Sequence, residues 1–258
     1  MPNEDIPSGK TPGDVPRDPS RGDIHGMIAR GLSQLGQGTG ELIAPRLENV
    51  VPLLAAYVRE IETFNPILNL VGTNDRQELI TRHILDSLSP LGIMADSLAR
   101  SELAGDKTLG ANPVHIADVG SGAGLPGIPL AIALPDARFT LIERKGRRAG
   151  FLRQTLETLG LPNVSVEEQE MEKVKPGRFA LVTFRAFRPL DPRIHKKLAR
   201  LCANGGILAA YKGRREKTEA EMAALEQAVP SLAGRWEILP CPVPRLDEER
   251  HLVLVFPI

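Results

Sequence analysis

Apolar positions along the chain fall into two patterns that meet near residue 110. Before that point, apolar residues recur three or four positions apart, from Leu42 to Ile61 and again within 76–98, which predicts amphipathic helices. Beyond it, short apolar runs alternate with helical or basic stretches. The runs occupy 114–119, 138–142, 163–167, 179–184 and 205–211. This alternation is typical of a parallel sheet with helices on both faces.

The two ends of the chain have different characters. The last third predicts a helix at 216–228, a strand from Trp236 to Leu239, and a strand within 251–256, so that a hairpin gives the parallel sheet an antiparallel edge. Residues 1–24 hold five prolines and almost no large apolar side chains, which predicts a disordered tail. We therefore divide the chain into this tail, a helical accessory region (25–105) and an α/β domain (106–258).

One glycine-rich segment, DVGSGAGLPGIP from Asp118 to Pro129, follows the first predicted strand and leads into a helix. Its glycines are Gly120, Gly122, Gly124 and Gly127. Glycine allows positive φ and close approach of a ligand to the backbone, and a strand–glycine–helix corner binds nucleotides in doubly wound sheets. Glu143 directly follows the next strand, where an acid can accept hydrogen bonds from ribose hydroxyls.

Two cofactor classes fit this corner. The Gly122–Gly127 spacing matches the dinucleotide pattern, yet the remaining chain is too short for a second nucleotide-binding half and a substrate domain. Asp118 suits a cofactor with an ammonium group and no phosphates, such as S-adenosylmethionine, better than a pyrophosphate. A proton-transferring Tyr-x-x-x-Lys pair is also missing, because Tyr211 and Lys212 are adjacent. An NAD-dependent oxidoreductase is therefore the less favoured alternative.

Charge is balanced overall but unevenly distributed. The chain is 42% apolar and 25% charged with zero net charge, as in ordinary globular proteins. Between Arg138 and Arg215, however, the sequence contains 18 Lys and Arg but only 7 Asp and Glu. Such an excess predicts a polyanionic partner, with a merely solvated surface as the alternative. Transmembrane, signal-peptide and metal-ligand patterns are absent from the sequence, so we predict a cytoplasmic protein without membrane or metal.

Several motifs occur in a characteristic order. They are Asn69-Leu70, Arg82–Leu88 (RHILDSL), Asp118–Pro129, Gly146–Arg148 with Phe151–Arg153, Arg185–Phe187, Lys212-Gly213 and Glu249–Leu252. Together they resemble the RsmG (GidB) family of bacterial small-subunit ribosomal RNA methyltransferases, over roughly residues 42–258. The resemblance implies a Rossmann-like class I methyltransferase fold, an α/β fold with a mostly parallel seven-stranded sheet, in 106–258. It also implies S-adenosylmethionine as cofactor and methylation of guanine N7 in 16S rRNA.

The glycine segment with its acids, together with the resemblance, predicts a set of cofactor-binding residues. They are Asp118, Gly120, Gly122, Leu125, Glu143, Met171, Glu172 and Arg185. The chain departs from the family pattern at Phe184, where relatives usually have Ser before the arginine. We expect this change to alter local packing without loss of the site.

Basic residues near these motifs are candidates to hold RNA phosphates and bases. They are Arg144, Lys145, Arg147, Arg148, Arg188, Lys212 and Arg250. On the Arg82–Leu88 helix, Asp86 can neighbour both Arg82 and His83. This group either contacts RNA or the cofactor loop, or docks the accessory region.

Guanine N7 carries a lone pair, so methylation there needs no general base, and no catalytic residue is predicted. Positioning and desolvation should dominate the chemistry. The expected partner is 16S rRNA or the small subunit, with no obligate protein partner and a monomeric enzyme. A non-catalytic RNA-binding or ribosome-assembly protein is an alternative, against which the acids Asp118, Glu143 and Glu172 argue.

Overall fold

The computed structural model describes residues 23–100, 113–186 and 189–257. Six α-helices precede the first strand in these ranges: α1 (Ile24–Leu32), α2 (Gln37–Ile43), α3 (Leu47–Leu68), α4 (Arg76–Leu79), α5 (Asp86–Leu88) and α6 (Leu91–Arg100). Four more alternate with the strands: α7 (Gly127–Ala133), α8 (Gly146–Leu159), α9 (Pro192–Ala199) and α10 (Arg215–Ala228). The helical region therefore begins at Ile24, one residue before the predicted boundary.

Seven strands form one sheet in the order β3-β2-β1-β4-β5-β7-β6. They are β1 (His115–Val119), β2 (Arg138–Ile142), β3 (Val164–Glu167), β4 (Phe179–Phe184), β5 (Cys202–Lys212), β6 (Trp236–Pro240) and β7 (His251–Val255). The first five pair in parallel, and β7 runs antiparallel to both β5 and β6. The predicted α/β fold is confirmed, although the reversed strand β7 lies inside the sheet and β6 forms the edge.

The order of the strands places a switch point between β1 and β4. Successive crossovers lead from β1 to β2 and β3 on one side, and the chain then returns to add β4 and β5 on the other. In such sheets a ligand binds outside the carboxyl ends of the strands at this point. The residues that follow β1, β2 and β4 are Gly120, Glu143 and Arg185. The fold thus collects three predicted site residues at one edge.

Each face of the sheet has its own hydrophobic core. On one face Leu141 and Leu181 share a continuous cluster with accessory residues such as Tyr57 and Leu54. The other face packs its apolar side chains against α9 and α10, through residues such as Leu198. The accessory helices therefore pack against one face of the sheet as a layer of their own.

The segment predicted as one helix over 76–98 is interrupted. Helix α4 continues through a π-helical turn, Ile80–Leu85, into α5, and α6 starts after Ser89 and Pro90. A π-helical turn widens the helix and often lies at a functional site. Its residues Ile80, Ile84 and Leu85 are buried in the core shared with the sheet.

The proposed tail, apart from 23–24, and the boundary near 105 lie outside the described residues. No helix in the described ranges combines the length and apolarity needed to cross a lipid bilayer.

We predict that Gly127→Ala destabilises the fold by about 1–3 kcal/mol, because an added methyl group overpacks a closed site. A Cβ at Gly127 would lie 2.8 Å from Asp118 Oδ2 and against Leu141. The matched control is Gly150→Ala in α8, where a Cβ meets no other atom within 4 Å. That change should stabilise the helix by about 0.5–1 kcal/mol. Urea unfolding of both variants measures the difference, and equal free energies of unfolding would contradict the prediction.

Candidate functional site

The glycine loop is fixed by its own backbone and by the next strand. Gly120 N–H donates to the Ile142 carbonyl at 2.8 Å, and Gly124 N–H donates to the Ser121 carbonyl at 2.7 Å. The glycines at 120, 122 and 124 have φ values of 74°, 58° and 91°. These left-handed conformations are strained for residues with a Cβ, so the loop requires glycine there.

Asp118 lies fully buried beneath this loop. Its Oδ2 accepts a hydrogen bond from Gly127 N–H at 3.0 Å, whereas its Oδ1 has no partner among the described residues. Burial raises the pKa of the Asp118 carboxyl to about 7, against the lowering effect of the Gly127 hydrogen bond. Asp118 therefore anchors the loop from below and changes its charge near neutral pH.

Glu143 joins the glycine loop to the loop after β2. Its Oε2 accepts from Gly122 N–H at 3.0 Å, and its Oε1 accepts from Lys145 N–H at 2.8 Å. The residue is 5% exposed and lines the cleft described below. Since an ionised carboxylate offers about four acceptor positions, Glu143 has further capacity to accept hydrogen bonds from a ligand.

A cleft of about 510 Å³ opens at the carboxyl ends of the strands. That volume is within the range of about 300–1,000 Å³ usual for small-molecule sites. The predicted residues in its wall are Gly120, Glu143, Arg144, Lys145, Arg148, Met171, Glu172 and Arg185. The structure thus brings eight of the fifteen predicted cofactor and RNA residues together around one cavity.

The other predicted cofactor residues, Asp118, Gly122 and Leu125, are not among the residues that line the cleft. Asp118 and Gly122 support its wall through the hydrogen bonds described above. Leu125 is not among the residues that line this cleft, because its side chain packs into the hydrophobic core, and its role in cofactor binding stays a prediction. The reason is the turn closed by Leu125 N–H and the Ser121 carbonyl at 3.1 Å, which carries the chain down into α7.

The predicted RNA-binding residues divide into exposed and paired groups. Arg144, Lys145 and Arg147 are exposed at the start of α8. Lys212, by contrast, donates to Glu221 at 2.6 Å with its side chain 13% exposed, so its charge is already neutralised. Arg250 pairs with Asp86 in the same way. Arg188 lies outside the described residues.

Phe184, the departure from the family pattern, is buried at the end of β4 in the core packed against α9 and α10. Arg185 follows it and still lines the cleft. The Glu172 carboxylate accepts from Lys197 at 2.6 Å, and this hydrogen bond lowers the pKa of Glu172.

Sequence reasoning missed part of the site. Gln169 and Glu170 line the cleft after β3, and Ile194 and Lys197 line it from α9. The sequence signal for the first pair was their position just beyond a strand end, whereas the helix residues carried none. Tyr57 was also missed: fully buried on α3, it donates through its hydroxyl to the Ala123 carbonyl of the glycine loop at 2.6 Å.

We predict that Asp118→Asn removes a pH dependence of stability. An acid whose pKa rises on folding, here from 3.8 to about 7, binds more protons when folded. Its stabilising contribution is therefore complete below pH 3.8 and is lost as the pH rises through 7. Between pH 5 and pH 8 the native protein should lose about 2–3 kcal/mol relative to the variant.

Urea unfolding at both pH values checks this prediction. Asp136→Asn is the control, since the Asp136 side chain is 83% exposed, and it should follow the native profile. Parallel profiles for native protein and Asp118→Asn would contradict the assignment.

Likeness to solved structures is remote: an rRNA methylase from Streptococcus thermophilus aligns with 66% of this chain and 96% of its own, at 18% identity and a TM-score of 0.43. Sequence similarity is much stronger. Ribosomal RNA small subunit methyltransferase G of Treponema pallidum is 36% identical over 90% of this chain and 93% of its own. The Chromobacterium violaceum protein of that name is 37% identical over 86% and 95%. The family model described as rRNA small subunit methyltransferase G (GidB) matches residues 51–233, and the chain therefore belongs to that family.

Proposed function

We propose that this protein transfers a methyl group from S-adenosylmethionine to N7 of a guanine in 16S rRNA. Family membership makes the chain an S-adenosylmethionine-dependent small-subunit rRNA methyltransferase. The proposal adds the atom that is methylated. The observation that carries it is that each acid in the described part of the cleft wall already faces an N–H or ammonium group of the protein.

The cofactor fits the residues present. Glu143 keeps acceptor capacity for ribose hydroxyls, and Met171 and Ile194 supply apolar surface suited to an adenine ring. Acidic and basic side chains both line the cleft, which matches a cofactor that carries both an ammonium and a carboxylate group. When bound, it supplies a methyl group on a sulfonium. Gly120 and Glu143 would hold it, with Asp118 and Gly122 supporting them from behind.

No acid in the described wall is placed as a general base. Glu143 accepts two backbone hydrogen bonds, Glu172 is bonded to Lys197, and Glu170 lies 3.9 Å from Lys173. Methylation of a hydroxyl or an exocyclic amine releases a proton, which such a base would have to take. The N7 lone pair forms its bond to carbon as the carbon–sulfur pair returns to sulfur, and no proton moves. The site therefore favours N7 among the guanine atoms.

An exposed basic surface beside the cleft suits an RNA substrate. Arg144, Lys145 and Arg147 have no ion-pair partner among the residues that the structure describes. Two of them also line the cleft, so phosphates bound here would lie next to the methyl donor. We place this activity in the cytoplasm, with 16S rRNA or the small subunit as partner and the enzyme as a monomer.

We predict that Glu143→Gln weakens S-adenosylmethionine binding at least tenfold, because its amide would face two backbone N–H donors with only one acceptor oxygen. Isothermal titration calorimetry measures the affinity. Glu157→Gln, an exposed acid on α8, is the control and should bind as the native protein does.

A second experiment tests whether N7 is the methylated atom. Small subunits from a strain lacking the gene are incubated with native protein and labelled cofactor, and 7-methylguanosine is mapped in the 16S rRNA. Label at another atom of the base would overturn the N7 assignment, and an unlabelled subunit would overturn the proposed activity.

We predict that Arg147→Gln lowers kcat/KM for small subunits three- to tenfold, with an effect that shrinks at high salt, since a lost phosphate contact reduces the salt dependence. Arg153→Gln lies on the same helix and is the matched control, because Arg153 is already paired with Glu168 at 2.8 Å. Initial rates at two salt concentrations compare the variants. Equal losses for both arginines would contradict a specific phosphate contact.

A further inference from the structure

A buried ion cluster joins the accessory region to the cleft. The Asp86 carboxylate, 5% exposed, accepts from Arg185 Nη1 at 2.9 Å and from Arg250 Nε at 3.1 Å. The three residues come from α5, the loop after β4 and the segment before β7. Burying charges in this way contributes little net stability, since desolvation offsets the attraction. The cluster is therefore better explained by what it positions.

Arg185 links this cluster to His83. Arg185 Nη2 lies 3.1 Å from His83 Nδ1, and arginine has only donors, so Nδ1 is the acceptor. The ring proton of a neutral His83 must then sit on Nε2. Burial lowers the pKa of His83 to about 4, with Arg185, Arg82 and Arg250 adding to the shift. His83 is thus a neutral imidazole at physiological pH whose tautomer is set by Arg185.

The Nε2–H of His83 is available to a ligand. His83 is partly exposed, and none of the residues described by the structure hydrogen-bonds to Nε2. Its neighbours Ile84 and Leu85 on the π-helical turn are buried, so the core holds the turn while His83 reaches the surface. Since Arg185 is part of the cleft wall, His83 lies one hydrogen bond away from that wall.

The exposed edge of guanine presents two neighbouring acceptors, N7 and O6. An N7 that takes a methyl group must have its lone pair free, so recognition on this edge has to act through O6. We propose that His83 Nε2–H donates to O6 of the target guanine, with Asp86 and Arg185 as positioning residues that fix the imidazole. This rests on the proposed function. The same donor would meet the N6 amino group of an adenine, and two donors facing each other disfavour that base.

His83→Leu and His83→Gln test this role, because leucine removes the donor and glutamine keeps an N–H donor. We expect His83→Leu to lower kcat on small subunits at least thirtyfold, with S-adenosylmethionine affinity within twofold of native. His83→Gln should recover to within tenfold of the native kcat. Asp86→Asn keeps one acceptor oxygen but turns an NH2 group toward the other arginine, so it should disturb the imidazole position and lower kcat while its cofactor affinity stays within threefold of native.

The outcomes separate this proposal from the proposed function. Absence of 7-methylguanosine with native protein would overturn the function and this role together. Native N7 methylation with an unchanged rate for His83→Leu would overturn the role of His83 alone. Equal losses in the leucine and glutamine variants, or a fall in cofactor affinity matching the fall in kcat, would assign His83 to structural support instead.

Discussion

Two carboxylates buried at neighbouring strand ends must find backbone donors, and the glycine loop supplies them. Gly127 N–H binds Asp118, while Gly122 N–H binds Glu143 together with Lys145 N–H. A buried carboxylate without such partners would destabilise the fold by several kcal/mol. Hydrogen bonds therefore hold the loop to the ends of both β1 and β2. The cleft opens beside the loop, on the side away from the Asp118 carboxylate. The position of the cleft floor is set by these hydrogen bonds to Asp118 and Glu143.

The accessory helices complete this arrangement from the other side. Tyr57 on α3 holds the Ala123 carbonyl of the glycine loop, and Asp86 on α5 holds Arg185 after β4. Arg148 on α8 approaches the Asn69 carbonyl at the end of α3 at 3.5 Å. The glycine loop and Arg185, on two sides of the cleft, thus both depend on helices that precede the sheet in sequence. The accessory region is a part of the site rather than an appended module.

Much of this could be predicted from the sequence because it depends on local pattern. Apolar runs located β1 to β5 to within a few residues, and Glu143 was found from its place directly after a strand. What could not be predicted is which charged side chains pair with each other. Lys212 and Arg250 look like free cations in sequence, and only the fold brings Glu221 to one and Asp86 to the other. Asp86 lies 99 positions from Arg185 and 164 from Arg250, and no spacing rule reaches that far. The burial of Leu125 could not be predicted either, because the turn that buries it depends on hydrogen bonding within the loop.

For the proposed methylation at N7, the charges around the cleft suit both the reactants and the products. Methyl transfer to N7 moves a positive charge from sulfur to the base without changing the total, so no side chain has to gain or lose a proton. Groups whose charges do not change are then an advantage, because they need no reorganisation as the reaction proceeds. Arg185 is ion-paired with Asp86, and His83 is a neutral imidazole beside it. Asp86 offsets part of the positive charge that Arg185 and Arg250 would otherwise present to a cationic product. In the proposed reaction the cluster can therefore lie close to the methylated guanine, with Arg144 and Arg147 proposed to hold the RNA backbone.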